Sequence, residues 1–207
     1  MKILIVDDHA VVRQGVQRLL STLAGARIYE AGTPHEALAI FKAEQPDVVV
    51  LDINLGGGSG LELLKRFQIE NAASRVVMFS MHAEPIYASR AIKSGAFGYV
   101  SKSAGADELA IAVAKAASGE RYLDRDTASK LAFNLYPAED PLQNLTNREV
   151  EILRLLGDGK SLSGIAETLG IAYKTVANSC SRLKEKLGLE RTADLIRVSL
   201  ETRREQQ

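Results

Sequence analysis

The sequence predicts an open, doubly wound α/β domain with a five-stranded parallel sheet, followed by a small all-α domain of about four helices. Three observations carry this reading. Five short β-rich apolar runs (Lys2–Val6, Arg27–Ala31, Asp47–Ile53, Val76–Ser80 and Gly98–Ser101) alternate with segments of helical spacing, the pattern of repeated β-α units. Three of the runs are nearly continuous hydrophobics, ILIV, VVVLDI and VVMF, as strands buried on both faces of a parallel sheet are. After Gly119 the strand-like runs stop, and from Thr146 onward every apolar pattern is helical.

Between the first two runs, Val12, Val16, Leu19 and Leu20 mark a helix. Ala37, Leu38 and Phe41 mark the next, and Leu109, Ala112, Val113 and Ala116 mark the one after the fifth run. Ala128, Leu131, Ala132 and Leu135 fall at i, i+3, i+4 and i+7, which predicts a short helix over 127–135. Pro137-Ala138-Glu139-Asp140-Pro141 reads as a linker, because proline restricts the backbone on either side and ends helices. Thr146-Asn147-Arg148-Glu149 is a capping box ahead of Val150, Ile152, Leu153 and Leu156. Glycines 157, 159, 164, 170 and 188 then punctuate the remaining helices. The expected division is an α/β domain over 1–120, a linker with a short helix over 121–142, and the helical domain over 143–207.

Composition excludes several classes. The 207 residues carry 26 basic and 26 acidic side chains, with 46% hydrophobic residues, a soluble-globular balance. The single cysteine, Cys180, cannot form an intramolecular disulfide, and no Cys/His cluster has metal-ligand spacing. The apolar run at the N-terminus is four residues long before Asp7, too short for a signal peptide or a membrane span. A cytoplasmic globular chain without a membrane partner is expected. Charge is uneven, however: residues 170–207 hold eight basic against five acidic side chains. That is a modest basic excess hidden in a neutral total.

Polar residues interrupt the buried runs at their C-terminal ends. Asp7 and Asp8 close the first, Asp52 lies near the end of the third, Ser80 ends the fourth and Lys102 follows the fifth. In an open α/β sheet these ends share one edge, where ligand sites form. An aspartate pair after a strand also serves as a helix cap, and a lone lysine there is often surface; five such residues at matching ends outweigh that reading. Three neighbouring carboxylates repel one another unless a proton or cation intervenes. A hard divalent cation, Mg²⁺ first, suits an all-oxygen site. Such a site can accept phosphoryl transfer onto a carboxylate while the metal and the amine neutralise the phosphoryl oxygens.

With ILIVDDH, VVVLDINL, VVMFSMH and GAFGYVSK in place, residues 1–120 resemble the flavodoxin-like receiver domain of two-component response regulators. The resemblance implies that Asp52 is the phosphoacceptor. It implies Mg²⁺ on Asp8, Asp52 and the Asn54 backbone carbonyl, with Asp7 acting through water. Lys102 would pair with the phosphoryl group, Ser80 would hydrogen-bond it, and Tyr99 would be the aromatic switch. Asn54 and His82 match positions that tune the lifetime of the acyl phosphate. Two features depart from the family: Ser103 follows Lys102 where proline is common, and Gly56 replaces another frequent proline. A cis bond before Ser103 would cost about 2.5–4 kcal/mol, so a trans bond is expected. Four glycines in Gly56–Gly60 predict an unusually mobile loop.

In the helical domain, Ser161–Leu169, then Gly170-Ile171-Ala172, then Tyr173–Leu187 read as helix, tight turn, helix. Val176, Cys180, Leu183 and Leu187 form one apolar stripe, which leaves Lys174, Asn178, Ser181 and Arg182 outward and Lys184 and Lys186 on the flanks. A helix held by one face, with polar and basic residues on the other, suits a DNA major groove. Lysine and arginine supply phosphate contacts, and asparagine can reach base edges. Residues 145–196, through LTNREVEILRLLGDGKS, IAETLGIAYKTVANS and RLKEKLGL, resemble the helix-turn-helix domain of the LuxR/NarL family. The resemblance implies double-stranded DNA as partner. It extends the contact set to Lys174, Thr175, Ala177, Asn178, Ser181, Arg182 and Lys184. Ala177 and Ser179 depart from the charged residue and histidine common there.

Taken together, the two resemblances imply a transcription regulator phosphorylated by a histidine kinase and binding DNA as a phosphorylation-induced homodimer. It would not be an enzyme beyond slow self-catalysed phosphoryl transfer and acyl-phosphate hydrolysis. The alternative from the same residues is a phosphorylation-gated protein-interaction regulator with weak or no DNA binding. A flavin or phosphatase enzyme of similar topology is disfavoured by Asp7-Asp8-His9, which offers neither an anion cradle nor aspartates two apart.

Overall fold

The computed structural model describes residues 1–55, 58–81, 85–133, 142 and 145–204. Gly56, Gly57, His82 and the linker Pro137–Pro141 lie outside the described residues. The chain divides into two compact units, Met1–Leu135 and Tyr136–Gln207.

The first unit runs β1 (Lys2–Val6), α1 (Ala10–Leu20), β2 (Arg27–Ala31), α2 (Pro34–Glu44), β3 (Val48–Leu51), β4 (Asn54–Leu55), β5 (Gly58–Ser59) and α3 (Gly60–Glu70). It continues through β6 (Val76–Ser80), α4 (Pro85–Lys93), β7 (Gly98–Ser101), α5 (Ala106–Ser118), β8 (Tyr122–Leu123) and α6 (Arg125–Phe133). The main sheet has the order β2-β1-β3-β6-β7-β8, all parallel. Alternation along the strands sends two sets of side chains to opposite faces. Ile3, Ile5, Val48, Val50, Val77 and Val100 pack with Val16 and Leu20 of α1 and Leu109, Ala112, Val113 and Ala116 of α5. On the other face lie α2, α3 and α4, where Phe41 stacks on Phe67 with ring centroids 4.4 Å apart.

Among the described residues the sheet has six strands where the sequence predicts five. Tyr122–Leu123 is too short to leave a periodic signal, yet it pairs with Gly98 and Tyr99. Gly98 is the trace of this pairing, since a Cβ there would stand 2.8 Å from the Tyr122 carbonyl oxygen. The third strand is also shorter than its apolar run. Asp47 leaves it to accept a hydrogen bond from the Lys2 backbone N–H at 2.7 Å. Of the glycine-rich stretch, Gly58, Ser59 and Gly60 are described, at the end of a short ladder and the start of α3. Asn54 pairs with Ser59 and Leu55 with Gly58 in a two-stranded antiparallel ladder. There glycine answers a lack of space: a Cβ on Gly58 would meet the Pro34 ring at 2.8 Å, and one on Gly60 the Asp52 carbonyl oxygen at 1.9 Å. The short helix predicted over 127–135 begins two residues earlier, at Arg125, where Asp124 caps it by accepting from the Thr127 N–H at 2.9 Å.

The second unit comprises α7 (Asn147–Gly157), α8 (Leu162–Leu169), α9 (Tyr173–Leu187) and α10 (Thr192–Arg204). The capping box forms as the sequence indicates: Thr146 Oγ1 accepts from Glu149 N, and Glu149 Oε2 accepts from Thr146 N at 2.6 Å. Ser161 caps α8, and Gly170 ends it in the left-handed region at φ 60°, which a side chain would disfavour. Gly164 lies inside α8 and does not interrupt it. The core joins Ile152, Leu153 and Leu156 of α7 with Ile165, Leu169, Val176, Leu183 and Leu195. Cys180 is buried among the inward residues of α9, and Ser179 joins it there while Leu187 stays half-buried. Among the described residues no helix is long and apolar enough to cross a membrane.

Candidate functional site

The order β2-β1-β3 places the point where the winding reverses between β1 and β3, the crevice where open α/β sheets bind ligands. Asp7 and Asp8 follow β1 and Asp52 follows β3, so the carboxylates flank that crevice from both sides. Ligand atoms of Asp7, Asp8, His9 and Asp52 all lie within 4.8 Å of one another. Asp7 and Asp52 are buried while Asp8 and His9 reach solvent. Lys102, from the turn after β7, enters between the two buried carboxylates, its Nζ 2.6 Å from Asp7 Oδ2 and 2.6 Å from Asp52 Oδ2. The same ammonium lies 5.8 Å from the Phe79 ring centroid.

These groups perturb one another. Burial holds the Asp52 carboxyl above its ordinary range; Lys102 opposes this and the Asp7 charge adds to it. For Lys102 burial disfavours the ammonium, but the charges and hydrogen bonds of Asp52 and Asp7 prevail and raise its pKa. Three carboxylates, Asp7, Asp8 and Asp52, thus gather around one lysine. Two buried carboxylates beside one that reaches solvent, one of the buried pair disfavoured as an anion, match the oxygen-donor chemistry of a hard divalent cation. His9 Nδ1, 2.8 Å from Asp8 Oδ1, sits at the outer edge of this set.

Ser80 ends β6, fully buried, and its carbonyl accepts from the Lys102 backbone N–H at 2.8 Å. Tyr99 is fully buried on β7, opposite Met78 on one side and Leu123 on the other. Asn54 lies on the β4–β5 ladder, and its backbone N–H donates to the Asp52 carboxylate. The Lys102–Ser103 peptide is trans. Sequence reasoning missed Arg13. Its guanidinium donates to the Asp7 carbonyl oxygen at 2.6 Å and pairs with Glu30 at 3.4 Å, fixing the end of β1 against β2. The available signal was its place one helical turn after Asp8-His9.

On α9 the side chains of Lys174, Thr175, Asn178, Ser181 and Arg182 are exposed, together with Tyr173; Ala177 and Lys184 are half-buried. Ser181 Oγ donates back to the Ala177 carbonyl at 3.2 Å. Lys186 is engaged inside its own unit, its Nζ 2.7 Å from Glu149 Oε2 in the capping box. Ser179, where the family commonly has histidine, is turned into the core.

The description "Response regulator receiver domain" matches residues 3–114, and "Bacterial regulatory proteins, luxR family" matches residues 143–199. The transcriptional activator protein ExaE of Pseudomonas putida is 36% identical over 206 residues, covering 97% of this chain and 96% of that protein. The DNA-binding transcriptional activator DevR/DosR of Mycobacterium tuberculosis is 37% identical over 208 residues, covering 99% and 96%. A two-component response regulator of the LuxR family from Aurantimonas sp. SI85-9A1 superposes with a TM-score of 0.63 at 34% identity, over 64% of this chain and 96% of that one. RcsB of Salmonella enterica serovar Typhimurium, solved on promoter P1flhDC, shares the fold with a TM-score of 0.70 at 22% identity, over 95% and 96%. The paired carboxylates and lysine at the sheet edge, the helix-turn-helix of the second unit and these likenesses lead to one conclusion: the chain belongs to the LuxR family of response regulators, a receiver domain joined to a LuxR-type DNA-binding domain.

Proposed function

We propose that the protein regulates transcription in response to phosphorylation of Asp52 by a histidine kinase. The carrying observation is the Lys102 ammonium 2.6 Å from both Asp7 and Asp52, at the edge where β1, β3 and β7 end. An Asp52 carboxylate oxygen would attack the phosphorus of a phosphohistidine; the P–N bond breaks and the imidazole leaves. Asp8, Asp52 and the Asn54 carbonyl would hold Mg²⁺, with Asp7 behind a water, and the ion supplies charge neutralisation for the phosphoryl oxygens. Lys102 balances the remaining charge, and Ser80 and Tyr99 answer the new phosphoryl group. Hydrolysis of the acyl phosphate resets the protein, and no further catalysis is assigned.

The receiver domain is assigned to 1–120, the joining segment to 121–142 and the DNA-binding domain to 143–207, in keeping with the matches at 3–114 and 143–199. Contact with double-stranded DNA is assigned to Lys174, Thr175, Ala177, Asn178, Ser181, Arg182 and Lys184, supported by the exposed outer face of α9. Pairing of two such units on DNA accounts for a homodimer favoured by phosphorylation, since one helix-turn-helix reads only a half-site. The site of action is the cytoplasm. One observation favours a second reading, a phosphorylation-gated protein-interaction regulator: Ala177 is uncharged and Lys186 is tied to Glu149, which thins the basic face. A low-salt gel shift against genomic fragments separates the two.

The phosphoacceptor test is direct. Incubation with acetyl phosphate and Mg²⁺, then mass spectrometry, should place a single phosphoryl group on Asp52 and none on the Asp52→Asn variant. Full labelling of that variant at another carboxylate overturns the assignment.

A further inference from the structure

β8 ends at Leu123, opposite Tyr99, so the sheet offers no further backbone carbonyl to the outer edge of β7 at Ser101. Asp124 fills that place with its side chain. Its Oδ2 accepts from the Ser101 backbone N–H at 3.0 Å and from Thr127 Oγ1 at 2.7 Å, and its Oδ1 accepts from the Thr127 N–H at 2.9 Å. Its own N–H donates to the Tyr99 carbonyl at 3.2 Å. Asp124, Ser101 and Thr127 are all buried. One carboxylate thus holds the last residue of β7 to the first turn of α6.

Ser101 immediately precedes Lys102, and the turn between them is held on both sides. Lys102 N donates to the Ser80 carbonyl, Ala104 N donates to the Ser101 carbonyl at 3.0 Å, and Ser103 N donates to Ser101 Oγ at 3.2 Å. We propose that Asp124 is a positioning residue for Lys102, and that through it movement of the Lys102 turn reaches α6. The proposal rests on Asp52 being the phosphoacceptor. A phosphoryl group on Asp52 displaces the ammonium now 2.6 Å from that carboxylate. The turn can move only by carrying Asp124 and the start of α6 along, or by leaving a buried N–H without an acceptor. α6 also packs against α4, the helix that follows Ser80, and it is the last helix before the segment that leads to the second unit. A two-position element biased from the site is the physical requirement for coupling.

Two variants of the full chain separate positioning from helix capping. Serine caps helices about as well as aspartate, but its short side chain cannot reach Ser101, so Asp124→Ser keeps the cap and removes the link together with the Thr127 hydroxyl bond. Thr127→Val removes the hydroxyl bond and keeps the link. Three quantities are read: the rate of phosphorylation by saturating acetyl phosphate, Mg²⁺ affinity, and amide hydrogen exchange over 48–55 and 124–133 with and without beryllofluoride. In the wild type, beryllofluoride should change exchange in both segments. Asp124→Ser should phosphorylate about tenfold more slowly, as expected for sub-ångström misplacement of a charged group, with Mg²⁺ affinity unchanged. It should keep the response at 48–55 and lose it at 124–133. Thr127→Val should stay within about twofold of wild type in rate and keep both responses. Should Asp124→Ser fail to fold, Asp124→Asn, which can satisfy only one of the two amides, should show the same losses in smaller degree. A wild-type rate in Asp124→Ser, a retained response at 124–133, or equal losses in Thr127→Val would overturn the proposal. Absence of any wild-type response at 48–55 would overturn the phosphoacceptor assignment and this inference together.

Discussion

Gly60 opens α3 directly over the backbone of Asp52, and Gly60→Ala tests how tightly that backbone must be held. A Cβ at this position would stand 1.9 Å from the Asp52 carbonyl oxygen, 2.8 Å from its carbon and 2.9 Å from the Ile53 Cα. Relief requires a shift of at least about 1 Å, all of it between backbone segments, because no flexible side chain is involved. Behind Gly60, Leu61, Leu63 and Leu64 are packed in the core and resist withdrawal of the helix. Overpacking of this kind costs about 1–3 kcal/mol. Stretching the Gly60 N–H bond to the Ile53 carbonyl, now 2.7 Å, adds about 1 kcal/mol. For a unit of this size each kcal/mol lowers the midpoint by about 3–4 °C. The larger effect should be chemical: an ångström of displacement at Asp52 should slow phosphorylation by acetyl phosphate about 100-fold. Gly15→Ala is the control. Gly15 is exposed in the middle of α1 with open space around it, so alanine there should stabilise by about 0.5–1 kcal/mol and leave the rate unchanged. Thermal melts and stopped-time phosphorylation of both variants suffice. Wild-type melting and labelling of Gly60→Ala would refute the close approach and the reasoning built on it.

Asp8→Asn should weaken Mg²⁺ binding at least tenfold and abolish the Mg²⁺ dependence of phosphorylation, because the rim then offers too few hard anionic oxygens; titration calorimetry reads the affinity. Glu149 has its pKa lowered: burial opposes this, but the bonds from Lys186 and Thr146 prevail. Its contribution to stability is present above the ordinary glutamate value of 4.5 and is lost as pH falls through the depressed native value, so acid melts of the second unit should weaken below about pH 4.5. Glu149→Gln should remove that acid sensitivity and cost about 1–2 kcal/mol at neutral pH, since Lys186 is partly solvated. Lys174→Ala or Arg182→Ala should weaken binding to all DNA sequences and flatten the slope of log affinity against log salt by about one unit. Asn178→Ala should cost about 1–3 kcal/mol at one base pair and spare non-specific binding; four silent variants of Lys174, Asn178, Ser181 and Arg182 in a protein that still binds DNA would displace the contact face from α9.

The elements that read most clearly from sequence are those whose burial repeats over several residues. β1, β2, β6 and β7 fall at the bounds the apolar runs indicate; in β1, β6 and β7 nearly every residue shares one buried environment, while β2 is only half-buried. β8 escaped because two residues cannot display a period, and only Gly98, crowded by the Tyr122 carbonyl, records it. Glycine in the loop after Asp52 admits two readings. Composition alone cannot distinguish a glycine chosen for freedom from one chosen because Pro34 or the Asp52 backbone leaves no room. The convergence of Asp7, Asp8, Asp52, Ser80 and Lys102 follows from strand polarity. What does not follow is that Lys102 bridges two carboxylates at equal distance, since that depends on the turn geometry after β7. Arg13 and Asp124 were hard to see as site supports because each holds a strand end through a backbone group, the Asp7 carbonyl and the Ser101 N–H, whose identity the sequence does not mark. Asp124 did leave a capping pattern, with Thr127 three residues on.

Cys180 is the only thiol in the chain, buried on the inward side of α9, with burial pushing its pKa up. A thiol in that state is a poor nucleophile, so an alkylating reagent should meet it only when α9 lifts from the core. The rate of modification then counts openings of the second unit alone, while the first unit stays silent whatever it is doing. A ligand that binds only the closed unit slows such openings by mass action, about 100-fold at a hundred times its dissociation constant. A duplex laid along the outer face of α9 could therefore be weighed by a sulfur atom on the inner face, without a label on either molecule.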